Sequence, residues 1–403
     1  TIMASLSQNT WETDSWYAQS VAGNAGYQGA GGLFSWGYGT DGALGLNDQT
    51  QRSSPTQIGT AKWEFVTSHT LASAGIKNDG TLWTWGNNNN GELAQDNIVY
   101  YSSPMQVGTG EDWSTCAFCS QNILAATKTD GSFWTCGDND YGGLGQNNRT
   151  KVSSPVQVPG TWSLAVSSAE GIVAGMTSGG DLYVWGYAEY GMYGNGQPSN
   201  QHRSSPVQLP SSPAWQSNVN NTSYGFSHAM AIKTNGTMWC TGANTYGQLG
   251  LGGSALNGGT PAAQGSQISM IQVGTATNWA KISCGARVSL GTKTDGTLWG
   301  WGRQDFGQLG VNNTTQRSSP VQIPGTDWDT PLSSNANSFC TKTDGTLWAW
   351  GYNGGGSLGI NVGAPEPTMM RSSPTQVGTG TFWTLEKTQA KGYQHGLMMQ
   401  KDL

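Results

Sequence analysis

The chain has 403 residues, 60 of them Gly, with 18 Lys and Arg against 24 Asp and Glu, a net charge of −6 and 10% charged residues. An average soluble domain is about 25% charged and about 7% Gly, so this surface must be solvated mainly by Asn, Gln, Ser, Thr and backbone. No Lys or Arg precedes Arg52 and no apolar run approaches 18 residues, so the expectation is no basic arm for nucleic acid, no positively charged leader and no membrane insertion.

Residues 1–30 are polar and Gly-rich, yet they carry Trp11, Trp16, Tyr17 and Tyr27. Exposed aromatics in such a segment need a covering surface. Residues 1–30 are therefore read as an N-terminal assembly arm carrying Trp11, Trp16 and Tyr17, with residues 31–403 as the folded domain. A rival reading makes "WETDSWYAQSVAG" from Trp11 to Gly23 a worn half-repeat that completes the first blade. It lacks the turn and the Gly-Thr lead of the repeats that follow.

From residue 33 the chain repeats itself. "LFSWG" ends at Gly37, and the same tryptophan strand closes at Gly86, Gly137, Gly186, Gly242, Gly302 and Gly351, a period of about 52 residues. Four strand-like parts recur in each copy. A segment such as "PTQI" begins at Pro55, Pro104, Pro155, Pro206, Pro320 and Pro374, with "MIQV" from Met270 in the fifth copy. A second strand begins at Trp63, Trp113, Trp162, Trp215, Trp279, Trp328 and Trp383. A small-residue strand follows, then a turn, then "TLWxWG". The turn has a physical cause, because Asp-Gly or Asn-Gly supplies the positive φ that a tight hairpin needs; it is written Asp79-Gly80, Asp130-Gly131, Asn235-Gly236, Asp295-Gly296 and Asp344-Gly345. Side chains alternate along a strand, so Trp83 and Trp85 share one face. All of the 19 Trp except Trp11 and Trp16 occupy repeat positions, which makes the phrase a core-building one. Four short strands in each of seven repeats predict an all-β, seven-bladed β-propeller of four-stranded blades.

The ends complement each other. "PTQV", "FWTLEK" and "GLMMQK" in residues 374–402 read as three strands, and "LFSWG" reads as a fourth with no hairpin partner before it. Joining N- and C-terminal strands in one blade closes the ring and protects both edges.

"GYGTDG" at 37–42 has the GxGxxG spacing, but "ALGLND" follows rather than a helix, so it reads as a loop. Cys116 and Cys119 form a lone CxxC without a second pair at zinc spacing, and the six Cys read as buried small side chains. The four His show no nucleophile or acid–base spacing. No enzyme site, cofactor or metal is expected. One variable triplet after each Trp strand remains as a candidate partner-binding ring: His69, Gln121, Glu170, Phe226, Arg287, Asn335 and Tyr393.

"WGxNxxGQLG" followed by "RSSPVQV" and "GxxHxxAIKTDG" resembles the regulator-of-chromosome-condensation repeat, with clear copies in "GRQDFGQLG" at 302–310 and "YGQLG" at 246–250. The resemblance implies the propeller fold, and places the variable triplets on one face near the central channel. The namesake implies nucleotide exchange on a small GTPase and chromatin binding, but chromatin docking would want basic loops. The wording of the repeats looks most like versions encoded by marine bacteriophages. The expectation is therefore a non-enzymatic virion structural protein, a tail fibre, spike or capsid-decorating protein at the particle surface. Its partners would be other virion proteins, copies of itself or a host receptor. A soluble protein-binding propeller, such as an inhibitor or scaffold, is the alternative, and a guanine-nucleotide exchange factor the third reading.

Overall fold

Seven blades, each of four antiparallel strands, stand around one axis, and blade one takes a fifth, parallel strand. The structure, a computed structural model, describes residues 31–401 other than 70, 120–121, 167–170, 198–200, 253–264, 362–368 and 391–394. Blade one is Trp63–His69, Ala72–Lys77, Leu82–Gly86 and Tyr101–Gln106; blade two is Trp113–Cys119, Ile123–Lys128, Phe133–Gly137 and Val152–Val158. Blades three to six begin at Leu164, Thr222, Trp279 and Trp328 and repeat the order. In blade seven Trp383–Thr384 and His395–Gln400 from one end join Leu33–Gly37 and Arg52–Gln57 from the other. Residues 1–30, with Trp11, Trp16 and Tyr17, lie outside the described residues.

The seven-bladed fold and its closure agree with the sequence reading. "GLMMQ" lies beside "LFSWG", with Leu33 opposite Met399 and Gly37 opposite His395. One strand assignment is corrected. The segment at Pro374 does not belong to the closing blade, because Met370–Gln376 pairs with Leu347–Tyr352 of blade six. The closure is two strands from each end rather than three and one. The same phase holds in every blade: the strand after the tryptophan strand forms the outer edge, and in six of the seven blades it carries a Pro, at a position where a residue without an N–H leaves no ladder bond unmade.

Local chemistry explains the blade. Asp79 Oδ1 accepts from the Thr81 N–H at 3.0 Å and its hydroxyl at 2.6 Å, while Trp83 Nε1 donates to Thr81 Oγ1 at 2.7 Å. The same relay runs through Asp130–Ser132–Trp134, Asn235–Thr237–Trp239, Asp295–Thr297–Trp299 and Asp344–Thr346–Trp348. Those hydrogen bonds hold the four Asp carboxyls below the usual carboxylate range. The Lys of the turn phrase then lies between two Trp rings, as Lys77 does over Trp63 and Trp83, a cation–π latch repeated at Lys128, Lys233, Lys293 and Lys342.

Blades are joined by the long loops. Trp85 Nε1 donates to Ala43 O of the preceding blade at 3.0 Å, and Trp36, Trp185, Trp301 and Trp350 do likewise. Gly42, at φ +79°, lies so close to Ser102 of the next blade that a Cβ would stand 2.5 Å from its Cα. The "GYGTDG" segment is thus an inter-blade loop with one 3-10 turn, Thr40–Gly42.

The axis is filled by the chain itself. Past Thr384 the innermost strand of blade seven leaves its sheet, and Thr388–Ala390 pairs in parallel with Trp63–His69 of blade one. Gln389 Nε2 donates to Ala165 O of blade three at 3.0 Å. Asn220 Nδ2 of blade four donates to Glu386 O at 2.8 Å, and Glu386 reaches Lys281 of blade five at 3.2 Å. A single segment therefore ties four other blades across the axis.

Candidate partner-binding face

Antiparallel strands place the hairpin turns at one end of the ring. The variable triplets and the long inter-blade loops lie at the other. On that loop face His69 ends the first strand of blade one and is half-buried. Phe226, Arg287 and Asn335 follow the first strands of blades four, five and six, and Phe226 is 39% exposed. Those three loops form one arc: Phe226 N–H donates to Gly285 O at 3.4 Å, and Ala286 N–H donates to Ser334 O at 3.2 Å. Gly285 is required there, since a Cβ would stand 2.0 Å from Ser334 O. His69 belongs to blade one, outside this arc, and Gln121, Glu170 and Tyr393 lie outside the described residues.

The structure adds residues that the sequence did not single out. Arg287 lies 4.7 Å over the Tyr246 ring, and its Nη1 donates to the Tyr246 hydroxyl at 3.0 Å. Arg303 lies 5.4 Å from the same ring and 5.8 Å from Phe306, and Phe306 meets Tyr352 at 5.3 Å with the rings tilted by 55°. Arg303 pairs with Asp305, whereas Arg287 has no ion pair among the described residues. A signal existed. Tyr246 and Phe306 both stand four places after the strand-closing Gly, and Arg303 and Tyr352 stand one place after it. Only folding shows that place four of one blade touches place one of the next.

The opposite arc, around blades seven, one and two, uses the same two places for polar contacts. Asn87 Nδ2 donates to Asp41 at 2.9 Å, and Lys151 bridges Asn90 and Asp138 at 3.1 and 2.9 Å. Glu92 lies beneath, fully buried. Its Oε2 accepts from the Asn90 N–H at 2.8 Å, while Oε1 has no partner among the described residues. Burial pushes its carboxyl up to about 7. Gln248 and Gln308 fill the corresponding place in blades four and five, taking the same backbone bond.

The six Cys are buried and form no disulfide, and burial pushes up the thiols of Cys116, Cys136, Cys240 and Cys340. Cys116 and Cys119 fall in separate core clusters on either side of their strand, so the CxxC does not converge. Among the described residues no group of three or more His, Cys, Asp or Glu could hold a metal ion.

The family model described as RCC1-like domain matches residues 32–398. The chain is 28% identical over 301 residues to the ultraviolet-B receptor UVR8 of Arabidopsis thaliana, covering 72% of this chain and 65% of the receptor. It is 27% identical over 207 residues to the E3 ubiquitin-protein ligase HERC2 of Homo sapiens, covering 50% of this chain and 4% of the ligase. The match spans less than two thirds of either relative's length. Human WBSCR16 superposes with a TM-score of 0.75 at 18% identity, covering 92% of this chain and 99% of that one. Prp20p of Saccharomyces cerevisiae, whose structure was described with its binding to Gsp1p and histones, superposes with a TM-score of 0.75 at 15% identity, covering 94% and 93%. At those identities the structures share the fold alone.

Proposed function

The chain belongs to the RCC1-like domain family, and on that premise we propose that it is a non-enzymatic protein-binding propeller whose loop face holds a partner, serving as a structural or host-attachment component of a virus particle. One contrast supports the binding face. Each of the five turn lysines named above lies between two aromatic rings, whereas on the loop face Arg287 lies half-buried over a single ring, without an ion pair among the described residues, and Phe226 is exposed in the same arc. Arg and aromatic side chains that are held in place before binding are the usual anchors of protein interfaces. The virion role draws on composition and build: only 10% charged residues, and a ring tied across its own axis. Its partners would be other virion proteins, copies of itself or a host receptor.

A photo-cross-linking residue at Phe226 in virus-producing cells should give adducts with virion proteins, while the same residue at Thr343, exposed on the hairpin face of blade six, should give none. Adducts from Thr343 alone would move the binding face to the other end. Absence of the protein from gradient-purified particles would overturn the virion role and leave the soluble binding module. Catalytic amounts should leave nucleotide exchange on a Ran-like GTPase at its background rate, and acceleration would restore the exchange-factor reading.

A further inference from the structure

The outer wall carries two apolar patches with exposed side chains. The long loop of blade one carries Ile98, Val99 and Tyr100, exposed by 66%, 54% and 39%. The corresponding loops carry Gln49-Thr50-Gln51, Arg149-Thr150-Lys151 and Thr314-Thr315-Gln316. The backbone is nevertheless the shared one. Asn88 Nδ2 donates to Asn97 O at 2.9 Å and Val99 O at 3.1 Å, and Asn139 does the same for Asn148 and Thr150 in blade two. Blade one therefore mounts an apolar knob on a pre-organised loop, with the exposed Asp96 at its base.

The second patch is a groove of about 620 Å³ between blades four and five, lined by Leu251, Ile271, Val273, Trp299, Pro320 and Lys293. Ile271 is 39% exposed. Lys128 and Lys342 pair with Asp112 and Asp327 at 3.0 and 3.1 Å, but blade five has Asn278 at that place, and Lys293 has no ion pair among the described residues. The knob lies at the boundary of blades one and two, where Asp96 N–H donates to Ser153 O. Groove and knob are three blade steps apart, about 154° around a seven-bladed ring.

We propose that the Ile98–Tyr100 knob of one chain seats in the blade four to blade five groove of a second copy, with Asp96 reaching Lys293. Exposed apolar patches of this kind mark contact sites, and here the acidic base of one patch is opposite in charge to Lys293 in the other. Knob and groove are different surfaces, so the contact is heterologous, leaving a free knob and a free groove at the two ends of every assembly. This inference goes beyond the loop-face reading and does not depend on it.

Sedimentation velocity of the full chain, from low micromolar concentration upward, should show mass growing without a closed endpoint. Val99→Asp and Ile271→Asp, both at exposed positions, should melt as the parent does and stay monomeric, each weakening association at least about tenfold. Mixed together they should form a one-to-one pair and grow no further, because one keeps its groove and the other its knob. Arg287→Gln on the loop face should associate like the parent. A parent chain that stays monomeric overturns the proposal, as does association that survives either substitution. A closed dimer that both substitutions abolish, and that mixing does not restore, overturns it too.

Discussion

A chain lacking residues 393–403 is expected to unfold at a far lower urea concentration than the intact chain. The deletion removes His395–Gln400, which lies between Leu33–Gly37 and Trp383–Thr384, so both neighbours lose a ladder at once. Leu397, Met398 and Met399 are each at most 3% exposed; at about 1.5–3 kcal/mol per buried side chain their loss costs about 5–9 kcal/mol. Typical domain stability is about 5–15 kcal/mol. The cut also frees one end of the segment that crosses the axis. Gln389→Ala isolates that second contribution: it leaves the strands intact but strips the buried Ala165 carbonyl of its donor, for about 1–3 kcal/mol. If the truncated chain has the midpoint of the intact one, the two-ended blade does not hold the ring.

The second large effect is a pair of opposed pH dependences. Glu92 has its carboxyl pushed from 4.5 up to about 7 by burial, with the Asp138 charge adding to the rise. Between those values the folded chain keeps a proton that the unfolded chain releases, so stability falls as pH rises. His395 is fully buried in the closing blade, and burial lowers its imidazole from 6.5 to about 4. There the unfolded chain takes up a proton that the folded chain refuses, so stability falls as pH drops. Each proton is worth about 1.4 kcal/mol per pH unit, and over their shared window the two slopes largely cancel. Glu92→Gln, which installs the residue that Gln248 and Gln308 supply in blades four and five, should raise stability by about 2–3 kcal/mol above pH 7 and leave a curve that climbs from pH 4 to 6.5. His395→Asn, which copies Asn337 at the same place in blade six, should unmask the opposite slope. Urea titrations across pH check both, and two parallel curves would show that neither group titrates as its burial dictates.

Much of the fold was legible because its causes are local. The Asp-Gly turn, the alternation of "LWxWG" and the seven copies all lie within a few neighbouring residues, and they led to the strand count, the blade number and the pairing of "GLMMQ" with "LFSWG". Even the Thr or Ser that accepts the Trp N–H after five of the turns is two residues from its partners.

The candidate face was legible only in part. The variable triplets could be picked out by comparing copies, but Tyr246, Arg303, Phe306 and Tyr352 could not, because each belongs to the shared loop in its own repeat. They become a cluster only when blade contacts blade, as Arg287 meets Tyr246 across 41 positions.

Composition and local pattern thus determined the all-β repeat, its turns and the joining of its ends. Tertiary structure alone decided the phase of the blades, the filled axis, the buried Glu92 and the side chains that share a surface. The outer strand pairs across a long loop, and Gln389 meets Ala165 across 224 positions. A hairpin is closed by adjacent residues whose conformational cost is small, so its signal is written where it acts. A contact between blades forms only once the ring has brought distant loops together, and nothing in either stretch names its partner beforehand.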